Sequence, residues 1–441
     1  MFRPAYDVSM GVRVFPAGAR KDVVEDEGVA ELRCIECGKR RLPKDVRCDC
    51  GGLVEVRLDL DNLDVSRQLF DHRLGLGFPY SSGVWRFSEL VHPLARRVFS
   101  RNEGNTHVYQ HPRLDQFAGV RGLMAKHDGE NPTGSFKDRG MTVAVSEALR
   151  QGVEEVCCAS TGNTSASLAA YAALAGVECR VFVPRGRVAG AKLAQTLAYG
   201  AELEEVEGSF DDALVAVKEY AASSSSYLVN SLNPWRIEGQ KSVVFELYQQ
   251  LKWGDLDWLA LPAGNLGNAS AVGKALAEAR RLGLIDSLPR LLLVQAAGAA
   301  PFYRLWKEGA DRLVPEERPE TAASAIRIGN PASWPKALRA LHACGGDVEA
   351  VSDEEILEAK RVVDRAGIGC EPASAAALAG VRKATADGRI RTGERVAIIL
   401  TGHLLKDASW STHEARTPSI EVGRPCPSPQ APPKGPFGGC G

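Results

Sequence analysis

The chain has 441 residues, 44% of them hydrophobic and 25% charged, with a formal net charge of −1. That length exceeds one compact core and suits two or three domains of an ordinary globular protein. The balanced charge gives no sign of a nucleic-acid binder, and no apolar run reaches the roughly 18–20 residues of a membrane span.

The first 30 residues carry little periodic signal and no apolar signal core, so a cytoplasmic protein is expected. A cysteine-bearing knuckle follows, with Cys34, Cys37, Cys48 and Cys50, and then an alternating strand over 53–57. Two close cysteine pairs at the corners of a short ribbon can supply a tetrahedral sulfur site for structural zinc. The second pair is one residue tighter than the usual spacing, so a metal-free ribbon of reduced thiols stays open as the alternative. Cysteines elsewhere, such as Cys157, Cys158 and Cys344, read as small buried hydrophobes.

From about residue 118 the pattern turns rhythmic. Short apolar runs predict buried strands at 122–126, 156–159, 179–183, 258–261, 290–294 and 396–400. Helical stretches fall between them, at 137–150, 165–175, 191–199, 238–251 and 268–282. This alternation predicts an α/β protein of parallel sheets wrapped by helices, with ligands at the carboxyl ends of strands. From about residue 416 proline and glycine dominate, and a disordered tail is expected over 416–441.

Four loops between strands and helices could carry chemistry. Glu130-Asn-Pro-Thr-Gly-Ser-Phe-Lys137 sets a lysine at a helix start, where its ammonium is easier to deprotonate. A neutral lysine forms a Schiff base with an aldehyde. Ser160-Thr161-Gly162-Asn163-Thr164 brings hydroxyls and free N–H groups to a helix start, as an anion cradle or an ordinary cap. Gly264-Asn265-Leu266-Gly267-Asn268 lets backbone N–H groups close on a phosphate, or is a simple turn. Thr401 offers a hydroxyl at a strand's carboxyl end, and the neighbouring His403 reads as structural.

The string NPTGSFKDRGM resembles the Schiff-base lysine motif of threonine synthases, in the branch shared by plants, archaea and many bacteria. EGNT, ASTGNTSAS, KLAQTLAYGA, VNSLNPWRIEGQK, AGNLGN, AIRIGNP, EPASAA and LTGHLLKD follow in that family's order over roughly residues 30–410. The resemblance implies the fold type II architecture of pyridoxal-phosphate (PLP) enzymes, similar to the tryptophan synthase β chain. Two parallel-sheet α/β domains would hold the cofactor between them, with the small cysteine ribbon in front. The implied division is an N-terminal extension over 1–60, a catalytic region over 61–415 with a smaller domain of roughly 140–225 inserted, and the tail.

The same resemblance implies roles. Lys137 would hold PLP and shuttle protons, Asn163 would bond its ring hydroxyl, and Thr401 would face its ring nitrogen. Gly264, Asn265, Leu266, Gly267 and Asn268 would cradle its phosphate. Ser160, Thr161 and Thr164 would hold the substrate carboxylate. Asn230, Ser231, Arg236 and Asn265 would hold the phosphate of O-phospho-L-homoserine, which with water would become L-threonine and phosphate. A homodimer is the family's habit. The family's usual proline after EGNT is His107 here. Rival readings are a cysteate synthase-like enzyme acting on O-phosphoserine, a serine or threonine dehydratase, and a regulatory binding protein on a dead core. The intact Lys137 opposes the last.

Overall fold

The computed structural model describes residues 13–14, 28–186 and 191–407. The tail expected from residue 416 lies outside them, as does most of the N-terminal segment.

The cysteine ribbon is an antiparallel pair, β1 (Ala30–Cys34) and β2 (Val54–Leu58), with Leu32 opposite Val56. Leu32, Val54 and Val56 are buried in the largest apolar cluster, so the ribbon is part of the main body. The chain then supplies β3 (Val108–Tyr109), β4 (Met124–His127), α1 (Lys137–Arg150), β5 (Glu155–Ala159) and α2 (Asn163–Ala175). After β6 (Glu178–Pro184), α3 (Ala191–Ala198), β7 (Glu202–Val206), α4 (Phe210–Ser223) and β8 (Tyr227–Leu228) comes the long α5 (Pro234–Gln250). The last third holds β9 (Trp258–Pro262), α6 (Gly267–Arg281), β10 (Arg290–Ala296), α7 (Trp334–Cys344), β11 (Asp347–Val351), α8 (Asp353–Arg365), α9 (Pro372–Ala386) and β12 (Val396–Leu400).

Two larger sheets result. Strands β8-β5-β6-β7 form a four-stranded sheet, parallel throughout. Strands β11-β10-β9-β12-β4-β3 form a six-stranded sheet in which only the edge pair β3 and β4 is antiparallel. The four-stranded sheet is built from chain that interrupts the larger one between β4 and β9.

Why the central strands are uniformly apolar is visible in their alternation. Leu259 and Leu261 of β9, Leu291 and Leu293 of β10, and Ala397 and Ile399 of β12 enter one core. Trp258 and Ala260, Leu292 and Val294, and Ile398 and Leu400 enter the core on the opposite face. Helices cover both faces, so all of β9 and β12, and all of β10 but Arg290, are buried, and each large aliphatic contributes about 1.5–3 kcal/mol.

Helix α1 and strand β12 keep the expected bounds. The helix expected over 238–251 starts a turn earlier: Pro234 is the first residue of α5, where a missing N–H is harmless. Asn233 caps that helix, accepting from the N–H groups of Trp235 (3.0 Å) and Arg236 (3.2 Å). Among the described residues no helix is long and apolar enough to cross a membrane.

Candidate active site

Five loops leave the carboxyl ends of β4, β5, β8, β9 and β12 and line one cavity of about 950 Å³. Lys137, Ser160, Thr161, Asn163, Thr164, Asn230, Ser231, Arg236, Gly264, Asn265, Leu266, Gly267, Asn268 and Thr401 all line it. Every residue expected at the cofactor or substrate is therefore in one place, although the positions span most of the chain.

Lys137 opens α1 and faces this cavity. Burial, aided by the Arg236 guanidinium and opposed by Glu371, pushes its amine down to about 7. Its loop is held from behind. Asp138 accepts from the Thr133 N–H (2.6 Å), the Thr133 hydroxyl (2.5 Å) and the Ser167 hydroxyl (2.5 Å). The EGNT stretch is a second brace. Gly104 N–H donates to Asn131 Oδ1 (2.8 Å), while Asn105 and Thr106 donate backbone N–H groups to buried Glu246. His107 is exposed and donates its N–H to Glu130 (2.7 Å), a bond that proline could not make.

At β9, Leu266 adopts a left-handed backbone (φ 62°) and leads into α6. A non-glycine residue held there marks a built turn at the start of the helix. At Gly264 a Cβ would stand 3.0 Å from Ile326 Cα, a tight fit that favours glycine. Asn268 Nδ2 is buried without a hydrogen-bond partner, which suits a phosphate oxygen at this helix start. The cradle therefore fits the phosphate of PLP.

Arg236, in the first turn of α5, is buried and bonds Val229 O through Nη1 (2.9 Å). Its Nε has no partner, and among the described residues no carboxylate pairs with it. Burial lowers its pKa to about 10, so it stays charged at neutral pH. Asn265 Nδ2 bonds Ser231 Oγ, and its Oδ1 accepts from Ala332 N (2.6 Å). Asn230 Oδ1 accepts from the Ala159 N–H (3.0 Å) and one Nδ2 proton goes to Ala159 O (3.1 Å), which leaves its second Nδ2 proton for a ligand. Ser160 Oγ accepts from Gly162 N (3.1 Å).

Two positioning groups escaped the sequence reading, although their motif EPASAA was visible. Ser374 Oγ lies 3.0 Å from Thr401 Oγ1 and accepts from the N–H of Thr401 and Gly402 (both 2.9 Å). Glu371 bonds Asn163. Sidedness of a helix start is not legible without the fold.

A family profile for pyridoxal-phosphate dependent enzymes matches residues 99–402. The chain belongs to that family. A threonine synthase of Methanocaldococcus jannaschii is 45% identical over 393 residues, covering 88% of this chain and 95% of the relative. A threonine synthase of Mycobacterium bovis is 49% identical over 307 residues, 69% of this chain and 82% of that one. Within the family the chain stands with the threonine synthases, as a lyase of amino-acid biosynthesis. Solved structures carry the same fold: maize serine racemase has a TM-score of 0.61 at 22% identity, covering 75% of this chain and 96% of that one. The processed threonine deaminase isoform 2 of Solanum lycopersicum gives 0.60 at 20% identity, covering 70% and 83%.

Proposed function

We propose that the chain converts O-phospho-L-homoserine and water to L-threonine and phosphate, with site residues in the roles that follow. The observation that carries this reading is Arg236, a buried guanidinium with no acid beside it among the described residues. An unpaired buried cation is costly unless an anion arrives. The cradle at β9 already serves one phosphate, so Arg236, with Ser231, Asn265 and the free N–H of Asn230, serves the phosphate of the substrate.

When bound, PLP supplies an electron sink conjugated to the substrate amine. The protein's residues do the rest. Lys137 holds the cofactor at rest and, once released, takes and returns the proton at Cα; its lowered pKa leaves much of the amine neutral at working pH. Ser160, Thr161 and Thr164 grip the carboxylate at the start of α2, fixing the direction of the Cα–H bond. Asn163 would hold the ring oxygen of PLP, Thr401 its ring nitrogen, and Gly264 to Asn268 its phosphate. Arg236 neutralises charge as phosphate leaves Cγ.

The same reading takes residues 1–60 as the extension, 61–415 as the catalytic region with roughly 140–225 as the smaller unit, and a homodimer in the cytoplasm. All described cysteines are free, as a reducing compartment keeps them. It also takes Cys34, Cys37, Cys48 and Cys50 as ligands of a structural zinc ion. Their sulfur atoms all lie within 4.8 Å of one another, with Cys34 to Cys50 at 3.5 Å and Cys37 to Cys48 at 3.6 Å. Tetrahedral zinc with bonds of about 2.3 Å needs sulfurs roughly 3.8 Å apart, so the quartet fits.

Purified protein incubated with phosphohomoserine tests the function. Phosphate and threonine should appear in equal amounts. Phosphate without threonine would mark elimination only, and turnover of phosphoserine instead would favour the cysteate synthase reading.

A further inference from the structure

The start of α9 reaches two of the groups assigned to the cofactor ring. Ser374 holds Thr401, as described above, and Glu371 holds Asn163. Glu371 precedes the first residue of α9, and its N–H donates to Gly402 O (3.0 Å). Its carboxyl is buried and packs so closely on Gly402 that a Cβ there would stand 2.3 Å from Oε1. Both carboxyl oxygens accept from Asn163 Nδ2, at 3.3 and 3.1 Å.

An asparagine amide has two unlike edges, one that donates and one that accepts. A carboxylate only accepts, so it can meet only the Nδ2 edge. The second Nδ2 proton and Oδ1 then have fixed directions. We propose that Glu371 is a positioning residue that locks the Asn163 amide so that it donates to the ring oxygen of PLP. This rests on the reading of Asn163 as the ring oxygen's partner. A donor at that oxygen favours its anionic form, whereas a flipped amide presenting Oδ1 would favour the protonated hydroxyl. Glu371 thus sets where a proton rests on the cofactor through Asn163. Burial raises the Glu371 carboxyl and Asp407 adds to this; the Asn163 N–H, Lys137 and Lys406 pull the other way.

The test uses the PLP-loaded enzyme and its Glu371→Gln, Asn163→Ala and double variants. Glutamine keeps the shape but can offer either edge to Asn163. Glu371→Gln should keep PLP yet shift visible absorption towards the shorter-wavelength form with a protonated ring oxygen. Its kcat should fall about tenfold or more with little change in KM. Glu371→Asp, which keeps the carboxylate, should restore part of the parental spectrum. An unchanged spectrum and kcat in Glu371→Gln would overturn the proposal. So would a further spectral shift when Glu371→Gln is added to Asn163→Ala, since Glu371 would then act directly. Should Glu371→Gln fail to fold, Glu371→Ala decides in its place: a shift towards the form with a protonated ring oxygen supports the lock, and an unchanged spectrum refutes it. If parent enzyme shows no cofactor band on Lys137, the assignment of Lys137 itself fails, separately from this proposal.

Discussion

Asp138 accepts both the backbone N–H (2.6 Å) and the hydroxyl (2.5 Å) of Thr133, closing the loop that delivers Lys137. The pair is buried, so the loop has little freedom to place the lysine elsewhere. Borohydride reduction of the loaded enzyme followed by peptide mapping should put the pyridoxyl group on Lys137. Lys137→Ala should lose the label and at least about 100-fold in kcat. A label on Lys126 or Lys192 would refute the assignment.

The Lys137 amine, pushed down to about 7, predicts a pH profile for cofactor capture. Only the neutral amine attacks the aldehyde, so the rate at which cofactor-free protein binds PLP should rise with pH and level off, with a midpoint near 7. Removing Arg236, whose charge helps depress the amine, should move that midpoint upward. The unfolded lysine titrates near about 10.4, so between these values the unfolded chain holds more protons. Cofactor-free protein should therefore gain stability as pH rises through that window. A capture midpoint close to that of the unfolded lysine would contradict the desolvation of the Lys137 amine.

Legibility in the sequence followed burial. Strand β12 and helix α1 were readable because a short apolar run and a 3.6-residue stripe each bury a face. Strand β7, with the sequence ELEEV, was not readable. It is an exposed edge strand of the four-stranded sheet, where charges block further pairing and hide the apolar signal. Helices α7, α8 and α9 fall in a stretch with no expected elements: α9 is rich in alanine on all sides and shows no stripe, whereas α8 carries a legible one in Ile356, Ala359 and Val363 behind the Ser352 cap. At the site, the residues of the loops were named from the resemblance. Glu371 and Ser374 were missed because their role depends on α9 meeting β12 and α2, a relation that no local pattern encodes.

Zinc in the ribbon predicts a stability effect without a chemical one. The ribbon docks through buried Val54 and Val56, whose carbonyls accept from Lys336 Nζ (2.6 Å) and Lys274 Nζ (2.5 Å). Metal analysis after gentle purification should find one zinc per chain, and Cys34→Ser should lose it. Chelation should lower Tm by several degrees, about the shift from losing 1–3 kcal/mol in a chain of this size, while PLP stays bound. Well under one zinc per chain would favour the reduced, metal-free ribbon.

Arg236 decides between a synthase and a dehydratase, because only the synthase substrate brings a second phosphate. Its guanidinium is buried, fixed by Val229 O at 2.9 Å, and leaves Nε open. The planar fork suits two phosphate oxygens at once. Arg236→Ala should leave PLP bound, because the cofactor phosphate has its own cradle at β9. Its kcat/KM for phosphohomoserine should drop by about 100-fold or more, or ~3 kcal/mol of lost charge-assisted bonding. Arg236→Lys should recover part of that loss, since it returns the charge without the fork. Inorganic phosphate should inhibit the parent in competition with substrate and inhibit Arg236→Ala far less. If Arg236→Ala instead loses PLP, and excess PLP restores turnover, then Arg236 serves the cofactor and the second phosphate site does not exist.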